Sequence, residues 1–355
     1  MPDGEAAPQP IPVPCCALGV DVGGTAIKAV VCDARGSLLS SLELPTPRTL
    51  VGLRQEVGRV VAELRGRISA GQVHHGARDG GASGPPVVLE DLAPSVGVAV
   101  PGIVRESEGI AVNSVNLGWR DVPMRDHMED ELGLPVVLSH DVRAGAWAES
   151  RWGAGGPDCL YLAIGTGIAS VLMLGGSPVD GDGWAGEVGL MLVPDPDRPG
   201  ADAHLESIAS ASAMALRYAA TLPGGADEPA GLRARSEGSL GVLRAMEAGD
   251  ERAARIWGTA LDALADLIAT GACLLGPLDV VIGGGLMRAG QEHFFAPLRE
   301  RVAQRLELVP APRVLPAALG SWSQALGSAG RAMAAAPRAQ AAPGRMPDAP
   351  RAGDG

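Results

Sequence analysis

An internal repeat without gaps constrains the fold of this chain more than any other feature of its sequence. Residues 18–31 (LGVDVGGTAIKAVV) align with residues 160–173 (LYLAIGTGIASVLM), and each segment is an apolar strand, a glycine-rich turn and a second apolar strand. A glycine pair between strands is normally only a hairpin turn, in which glycine supplies positive φ angles. Because one copy opens each half of the chain, the repeat predicts a duplicated fold whose two similar lobes face each other across a cleft.

The apolar pattern between the two ends of the chain alternates between strand-like and helix-like segments. The strand-like segments are 17–22, 26–31, 95–100, 135–139, 160–164, 170–174 and 278–284. Helical periodicity is found near residues 49–70, 123–132, 141–152, 206–220, 251–275, 292–306 and 321–336. Strands that alternate with helices indicate an α/β fold, and 355 residues are enough for two lobes.

Charge, cysteine content and hydropathy exclude several classes of protein. The chain has 41 Asp and Glu residues against 29 Lys and Arg residues, a net charge of -12, and we expect no nucleic-acid partner because such binding needs clustered positive charge. The sequence has no run of 18 apolar residues and no signal-type N-terminus, so we expect no membrane partner. Its five cysteines are odd in number and lack CxxC spacing, which favours reduced thiols and a cytoplasmic location.

Three segments lack the periodicity of folded elements. Residues 1–16 and 337–355 are rich in proline, alanine and glycine, and we expect both to be disordered tails. The segment 71–86 is predicted to be a flexible loop. Its neighbouring histidines, His74 and His75, could bind a metal ion, but the sequence offers no third ligand nearby, which favours the loop interpretation.

The glycine-rich hairpins can have a chemical role beyond turning the chain. Their backbone N–H groups can approach an anion closely, and Thr25 adds a hydroxyl donor. Asp21, at the end of the first strand, could hold a hydrated Mg²⁺ ion beside bound phosphates, because Mg²⁺ prefers carboxylate oxygens and keeps part of its water shell. Two other phosphate-binding motifs fail: GxxxxGK[ST] is absent, and GTGIAS has Ser170 where a dinucleotide fingerprint needs its third glycine.

Three further segments have both a functional and a purely structural interpretation. Asp141 follows a predicted strand and opens a predicted helix, so it is either an N-cap or a general base that accepts the proton of a substrate hydroxyl. The glycine cluster at 280–290 (VVIGGGLMRAG) is either a plain turn or a surface against which an adenosine lies flat. The stretch 186–207 places Glu187 and Glu206 on either side of a polar loop, which is a site wall, the remnant of a metal site or a solvated loop.

Eight short motifs follow one another along the chain. They are DVGGT (Asp21 to Thr25), PG in VAVPGIV, NLGW in NSVNLGWRDVP, HDVRA in SHDVRAGAWAE, GTG in AIGTGIAS, GEVG in AGEVGL, LESIAS and VIGGGL. In this order they resemble the ROK family of bacterial sugar kinases, which has a duplicated actin-like, hexokinase-type ATPase fold. The resemblance extends over about residues 17–336 and implies the same α/β fold, with two lobes around a cleft.

The resemblance implies a kinase that depends on ATP and Mg²⁺ and phosphorylates a primary hydroxyl of a hexose or of a hexose-like cyclitol. Asp141 would be the general base, and Asp21 would hold the Mg²⁺ ion through water. The nucleotide would be bound by Gly23, Gly24, Thr25, Lys28, Gly165, Thr166, Gly167, Gly284 and Gly285. The substrate would be contacted by Asn116, His140, Asp141, Glu187, Leu190 and Glu206.

The resemblance also implies a division of the chain and an assembly. Residues 17–138 would form the N-terminal lobe and residues 139–320 the C-terminal lobe. The helix 321–336 would return to brace the first lobe. Family precedent further implies a homodimer or a homotetramer.

Several departures from the family pattern predict altered chemistry. His140 replaces the asparagine usually found before the catalytic aspartate, and Leu190 replaces a histidine that both contacts the sugar and binds a structural zinc ion. Asp197, Pro199 and His204 stand where the family has three zinc-binding cysteines. Because a structural zinc site needs four good ligands, mostly thiolate and imidazole, we expect no zinc site.

The changes at His140 and Leu190 also bear on specificity. A site built to hydrogen-bond a hydroxyl strongly rejects analogues that lack it. Leucine in place of imidazole therefore favours an acceptor with an apolar face or a missing oxygen, such as a carbasugar or cyclitol, although glucose, mannose and their amino derivatives stay open.

The alternative to a kinase is a sugar-binding regulator without catalysis. A DNA-binding repressor of this family would carry an N-terminal helix-turn-helix, for which only about 17 residues precede the first predicted strand. The acidic chain also argues against DNA binding. The sequence therefore leaves a pseudokinase as the second hypothesis.

Overall fold

Strands and helices alternate along the chain in the computed structural model, which describes residues 15–76, 84–114, 117–227 and 229–336. The strands are β1 (Cys16–Val22), β2 (Ala26–Asp33), β3 (Leu38–Pro45), β4 (Val96–Val100), β5 (Ile103–Arg105), β6 (Ile110–Ser114), β7 (Trp119–Val122), β8 (Val136–His140), β9 (Cys159–Ile164), β10 (Ile168–Leu174), β11 (Ser177–Pro178), β12 (Leu192–Pro194), β13 (Asp202–His204), β14 (Asp279–Gly283) and β15 (Val314–Pro316). The helices are α1 (Leu50–Ser69), α2 (Met124–Leu132), α3 (Asp141–Trp152), α4 (Leu205–Ala209), α5 (Ala211–Ala220), α6 (Pro229–Glu247), α7 (Glu251–Leu275), α8 (Ala296–Gln304) and α9 (Ser323–Ala335).

Ten of these strands form two five-stranded sheets with the same internal arrangement. The first sheet has the order β3-β2-β1-β4-β8, and the second has the order β11-β10-β9-β14-β15. In each sheet an antiparallel meander of three strands is followed by two strands that run parallel to the first strand of the meander. The α/β duplication predicted from the repeat is therefore present in the topology.

The two repeated hairpins differ by one residue in their register. Val22 is paired with Ile27 across the first turn, so four residues separate the paired positions. Ile164 is paired with Ile168 across the second turn, which leaves three residues. The two sequences nevertheless align without a gap, because the extra residue of the first turn is absorbed by a shift in pairing.

Helix α9 packs directly on the first sheet, where glycines remove the side chains that would hold the two apart. A Cβ atom at Gly97 of β4 would lie 1.9 Å from the Ser328 carbonyl oxygen, and one at Gly19 of β1 would lie 2.2 Å from the Ala325 oxygen. The Ser328 hydroxyl also donates to the Val20 carbonyl at 3.2 Å. These contacts fix the last described helix to strands from the start of the chain.

Helix α3 lies beside α9 and packs on the second sheet. Gly327 of α9 faces the Ala144 carbonyl of α3, and a Cβ atom at this glycine would lie 1.8 Å from that oxygen. Elsewhere α3 buries Ala146 in a cluster with Tyr161 and Val171 of the second sheet. The two helices therefore lie between the two sheets and connect them.

Several element boundaries differ from those expected from the sequence. β1 begins at Cys16, within the segment predicted to be a tail. β8 ends at His140, so the predicted boundary between the lobes after residue 138 falls inside this strand. The predicted helix 206–220 is divided into α4 and α5 at Ser210, whose hydroxyl caps the start of α5.

Helix α6 (Pro229–Glu247) is not predicted by the sequence. It begins with proline, contains three glycines, and is broken at Gly238, whose φ is 65°. Glycine and proline have the lowest helix propensities, so the helical pattern is weak in this segment. Burial of Val242 and Leu243 in the core of the second half of the chain holds the helix instead.

Helix α7 is the one helix in the described ranges that is long and apolar enough to cross a membrane, judged by length and composition alone. Its inward face, which includes Ile256, Leu261 and Leu264, is buried in the same core as α6. A core helix passes the same test, so this finding is weak evidence for a membrane span.

Some predictions fall on residues outside the described part of the chain. These are residues 1–14 and 337–355 of the predicted tails, residues 77–83 of the predicted loop, and the predicted substrate contact Asn116.

A buried carboxylate joins the end of α3 to the segment that leads into α9. Glu149 has no exposed surface, and its oxygens accept the backbone N–H groups of Ala154 at 3.0 Å, Ala318 at 2.9 Å and Leu319 at 2.8 Å. Backbone donors that are removed from water need a partner. Three of them here depend on one side chain.

We expect Glu149→Gln to lower the free energy of unfolding by about 2–4 kcal/mol, because hydrogen bonds to a charged acceptor are lost and a buried N–H is left unpaired. Urea denaturation at pH 7 measures the change. Glu300→Gln is the control, since Glu300 is exposed and the same substitution there should change the free energy by less than about 0.5 kcal/mol. Equal unfolding midpoints for the two variants would contradict the role of Glu149.

Candidate active site

The two acidic residues predicted to hold magnesium and to act as the base lie at one edge of the first sheet. β1, β4 and β8 are parallel, so their carboxyl ends meet at the same edge. Asp21 lies near the end of β1, and Asp141 follows β8 as the first residue of α3. The two carboxylates are close enough for the charge of Asp141 to act on Asp21.

Asp21 is a buried carboxyl group beside a like charge. Burial and the charge of Asp141 raise the pKa of Asp21 to about 8, whereas Lys28, its partner across the hairpin, acts in the opposite direction. Two carboxylates that cannot both ionise easily form a place where a divalent cation is favoured. The donor set at this edge therefore fits the predicted Mg²⁺ ion.

The first glycine hairpin is exposed at its tip and anchored at its base. Gly24 and Thr25 are exposed, as a loop that receives an anion must be. The Gly23 carbonyl accepts the Thr46 hydroxyl at 2.6 Å, which ties the hairpin to the end of β3. The hairpin is thus fixed, with its tip open to a ligand.

Lys28, predicted to bind the nucleotide, is engaged with protein groups. Its ammonium donates to the Ser321 carbonyl at 2.9 Å and lies 5.6 Å from the centre of the Trp322 ring. These contacts tie β2 to the turn that precedes α9. Its proximity to Asp21 nevertheless places its charge at the edge of the site.

Asp141 is the first residue of α3 and not its N-cap. The N-cap is His140, whose side chain makes no capping hydrogen bond. Oδ1 of Asp141 accepts the Val142 N–H at 2.7 Å and lies 3.2 Å from Nε2 of His140. The N-cap interpretation of Asp141 is therefore wrong, and the 25% exposed fraction of its side chain leaves the carboxylate accessible to a substrate.

His140 is buried beside this carboxylate. Burial lowers the pKa of His140, although the charge of Asp141 acts in the opposite direction. At neutral pH the imidazole is therefore uncharged, and it does not neutralise the carboxylate next to it.

A buried charged cluster that the sequence did not reveal lies behind Asp141. Oε1 of Glu106 accepts the His140 N–H and the Arg143 Nε–H, both at 2.8 Å, and Oε2 pairs with Arg331 of α9 at 2.5 Å. One carboxylate thereby holds residues on both sides of Asp141. The available signal was an arginine, Arg143, on the inward face of a helix that otherwise buries alanine, glycine and Glu149.

The two glutamates predicted to contact the substrate lie near each other and near Asp141. Burial and the charge of Glu206 raise the pKa of Glu187, and Asp141 acts in the same direction. Glu206 lies in α4, and a Cβ atom at Gly167 would be 2.8 Å from its Oε2. The glutamates, the predicted base and the second hairpin therefore share one site.

Ion pairs occupy the loop in which the family has zinc ligands. Asp197 pairs with Arg217 at 2.7 Å and with Arg255 at 2.8 Å. The His204 ring lies 2.8 Å from the carbonyl of Leu190, whose own side chain is 54% exposed. Both residues that could have been zinc ligands here have protein partners, and the expected lack of zinc in this loop stays a prediction.

Arg217 carries most of this ion-pair network. Besides its bonds to Asp197, it donates to the Ile208 carbonyl at 2.8 Å and to the Thr259 hydroxyl at 2.9 Å. Ile208 lies in α4, the helix that carries Glu206, whereas Arg217 is in α5 and Thr259 in α7. The network therefore ties the glutamate-bearing helix to α5 and α7.

A cavity of about 560 Å³ joins the second hairpin to the turn predicted to bind adenosine. It is lined by Gly165 and Thr166 on the hairpin and by Gly285 and Arg288 after β14. The broken middle of α6, at Gly238, forms a further wall. Its volume suits a small ligand such as a nucleoside. Three of the five predicted nucleotide contacts in this half of the chain, Gly165, Thr166 and Gly285, therefore line one cavity.

Gly284 allows the β14 turn to approach the hairpin. Its φ is 93°, and a Cβ atom there would lie 2.3 Å from the Ile164 carbonyl oxygen at the end of β9. A side chain at this position would separate the turn from the hairpin and open the cavity between them.

The fold is of the actin-like, hexokinase-type ATPase class. It has duplicated lobes, paired glycine hairpins and an aspartate at the start of an interlobe helix. The sequence pattern of the ROK family matches residues 87–335, and the chain belongs to this family. The glucokinase of Halalkalibacterium halodurans is 29% identical over 316 residues, which cover 85% of this chain and 88% of that protein. The glucokinase of Thermotoga maritima is 31% identical over 301 residues, which cover 80% of this chain and 86% of that protein.

Solved structures of ROK proteins are similar over nearly their whole length. The ROK hexokinase from Thermus thermophilus has a TM-score of 0.69 and 28% identity, and the match covers 89% of this chain and 97% of that chain. A ROK family glucokinase from Streptomyces griseus, in complex with glucose and AMPPNP, has a TM-score of 0.67 and 29% identity over 88% of this chain and 98% of that chain. The predicted fold class is confirmed.

The charged cluster at Glu106 makes stability depend on pH in the acidic range. Burial alone would raise the pKa of Glu106, but the hydrogen bonds and charges of Arg331 and Arg143 outweigh burial and lower the pKa to about 2. A carboxyl whose pKa is lowered on folding stabilises the fold above its ordinary pKa of 4.5, and this contribution is lost as the pH falls towards 2.

We expect the wild type to exceed Glu106→Gln in free energy of unfolding by about 3 kcal/mol at pH 7, which corresponds to lowering a carboxyl pKa from 4.5 to about 2. The difference should fall by about half at pH 3. At that pH the carboxyl is mostly protonated in the unfolded state but still ionised in the folded state, so part of the proton-linked stabilisation is lost. Urea denaturation at both pH values measures it. A difference that does not change with pH would show that the ionised Glu106 is not its source.

Proposed function

We propose that this protein is an ATP-dependent carbohydrate kinase in which Asp141 is the general base. The proposal rests on the surroundings of Asp141. Its carboxylate lies near Asp21 of the first sheet and near Glu187, which in turn lies near Glu206. Membership of the ROK family and the similarity to glucokinases support the same reaction class.

Asp141 would accept the proton of a primary hydroxyl while the hydroxyl oxygen attacks the γ-phosphorus of ATP. The bond from this phosphorus to the bridging oxygen breaks, and ADP leaves with the electron pair. The base has to be ionised and held in place to act. The Glu106 cluster fixes the backbone around Asp141, since Glu106 accepts the N–H of His140.

The nucleotide would lie in the cavity between the second hairpin and the β14 turn. Backbone N–H groups of both hairpins would face the phosphates. Arg288 adds positive charge to the cavity wall, which also contains Glu237 and an Arg235 paired with Asp227, and Leu216 and Leu240 add apolar surface for the base. This division of polar and apolar groups suits a nucleoside triphosphate.

Asp21 would hold a Mg²⁺ ion, directly or through water, because Mg²⁺ takes carboxylate oxygens and gives up its water reluctantly. When bound, the ion neutralises charge on the phosphates during transfer. The charge of Lys28 opposes the rise in the pKa of this carboxyl group, and a bound cation would favour its ionised form further.

The acceptor would be bound by hydrogen bonds from its hydroxyls to Glu187 and Glu206, whose carboxylates accept only. Position 190 offers leucine in place of a polar partner, and we therefore propose a cyclitol or carbasugar as the preferred acceptor. Glucose, mannose and their amino derivatives are the competing acceptors.

We expect Asp141→Asn to lower kcat by roughly 10²–10⁴-fold, because an amide does not take up the hydroxyl proton. Affinity for AMPPNP should change little, since the side chain does not line the nucleotide cavity. ADP release over a panel of hexoses, N-acetylhexosamines and cyclitols measures the rate. Asp126→Asn is the matched control, because Asp126 is an exposed aspartate in the first turn of α2 and should be replaceable without loss.

The same panel tests the alternative, a regulator that binds a sugar without phosphorylating it. Such a protein would bind a panel compound in calorimetry, yet the wild type would release ADP no faster than Asp141→Asn. That result would refute the kinase proposal and leave a binding role.

We expect Leu190→His to raise the ratio of kcat/KM for glucose to that for a cyclitol by about tenfold or more, because the imidazole offers a hydrogen-bond partner to a ring hydroxyl. Leu192→His is the control, since Leu192 is 66% exposed and two residues further along the same segment. If the ratio is the same in both variants and in the wild type, position 190 does not select the acceptor.

A further inference from the structure

A second cluster of reactive side chains lies at the other end of β1 from Asp21. The sulfur atoms of Cys15 and Cys16 and a ring nitrogen of His75 all lie within 4.8 Å of one another. β1 begins at Cys16, and Asp21 is five positions further along it, which is about 17 Å along an extended strand. The cluster is therefore separate from the candidate active site.

Backbone hydrogen bonds bring these residues together from distant parts of the chain. The Cys15 N–H donates to the Asp91 carbonyl at 3.1 Å, and the His75 N–H donates to the Pro85 carbonyl at 3.0 Å. Cys16 is part of the first sheet. Paired backbone thus brings the three residues close to one another from distant parts of the chain.

The spacing suits a tetrahedral metal ion. With bond lengths of about 2.3 Å to sulfur and 2.0 Å to nitrogen, two such ligands of a tetrahedral Zn²⁺ ion lie about 3.5 Å apart. Sγ of Cys16 is 3.8 Å from Nδ1 of His75, close to this separation. Only a small movement is needed for the three atoms to bind one ion.

Asp91 orients the imidazole for this role. Its Oδ2 lies 3.1 Å from Nε2 of His75 and also accepts the Val88 N–H at 3.0 Å. When the Nε2–H group donates a hydrogen bond to this carboxylate, Nδ1 is unprotonated and its lone pair is directed at the sulfurs. Zinc-binding histidines commonly have a carboxylate in this position.

We propose that Cys15, Cys16 and His75 bind one Zn²⁺ ion, with water as the fourth ligand. Cys15 is exposed and His75 is partly exposed, which gives the ion an entry path and leaves room for the water. Binding replaces the two thiol protons, so each ion bound releases two protons. The expectation of no zinc site rests on the loop at 186–207, and this site lies elsewhere.

The ion would tie the start of β1 to the loop at His75 and to the turn at Asp91. Its effect would therefore fall on stability and not on catalysis, so the site can be tested whether or not the kinase proposal holds. Metal that binds the folded chain preferentially raises its melting temperature.

The test uses the full chain, reduced, stripped of metal with a chelator and then titrated with Zn²⁺ against a chromophoric competitor. We expect one equivalent to bind with a Kd of about 0.1 µM or tighter, together with a rise in Tm. Replacement by Co²⁺ should give the thiolate charge-transfer absorption of a tetrahedral site with two sulfurs. Cys15→Ser and His75→Gln, both at partly or fully exposed positions, should each weaken binding at least tenfold.

Two matched controls separate this site from others. Cys273→Ser removes an exposed cysteine of α7, and His74→Gln removes the neighbouring histidine; both should bind zinc as the wild type does. Failure of the wild type to bind one equivalent would overturn the proposal. So would undiminished binding by Cys15→Ser and His75→Gln, since the ion would then lie elsewhere.

Discussion

The ionised carboxylate of Glu106 is the interaction on which the candidate active site depends. It is buried, and a buried charge is stable only with partners, which here are Arg143 of α3 and Arg331 of α9. The same carboxylate accepts the N–H of His140, the residue before the predicted base. Because α9 is also packed on β1 through glycine, one pair of helices sets the position of Asp141 relative to the strand that carries Asp21.

The two halves of the chain share a topology and differ in charge. In the repeat, Asp21 and Lys28 of the first copy align with Ala163 and Ser170 of the second. The first hairpin therefore brings a carboxylate and an ammonium to the cleft, whereas the second offers backbone groups and is completed by Arg288 in the adjoining cavity. The two copies of one topology therefore present different groups at the cleft, charged side chains in the first and backbone groups in the second, and we propose that the first serves a cation and the second a nucleotide.

Local patterns predicted those parts of the fold that local forces determine. The repeat predicted the duplication that the two sheets show. The motifs at Asp21 and Asp141 identified residues that the structure brings together. Helix α6 escaped prediction because its glycines weaken the helical pattern and burial in the core holds it instead. Glu106 escaped because its partners are distant in sequence: Arg331 is 225 residues away.

The same limit applies to the cluster at His75. The histidine pair was visible in the sequence, but its partners Cys15 and Cys16 precede it by 60 and 59 residues, and only the pairing of backbone segments brings them near. A pattern search over neighbouring residues therefore finds one ligand where the fold supplies three. A single sequence does not reveal which distant segments pair in a sheet, even when the residue types themselves are easy to recognise.

Two departures from the family pattern meet in the loop at 186–207: the altered substrate contact at position 190 and the missing zinc ligands. The family resemblance implies a histidine at position 190 that serves both the sugar and the zinc ion, so leucine there would remove a substrate contact and a metal ligand at once. In this loop Arg217 pairs with Asp197 and donates to the Ile208 carbonyl, so protein groups tie the glutamate-bearing helix to α5. The helix that presents Glu206 can thus keep its place while the neighbouring position becomes apolar. We propose that a changed acceptor preference and the loss of a zinc ligand are two consequences of the same substitution.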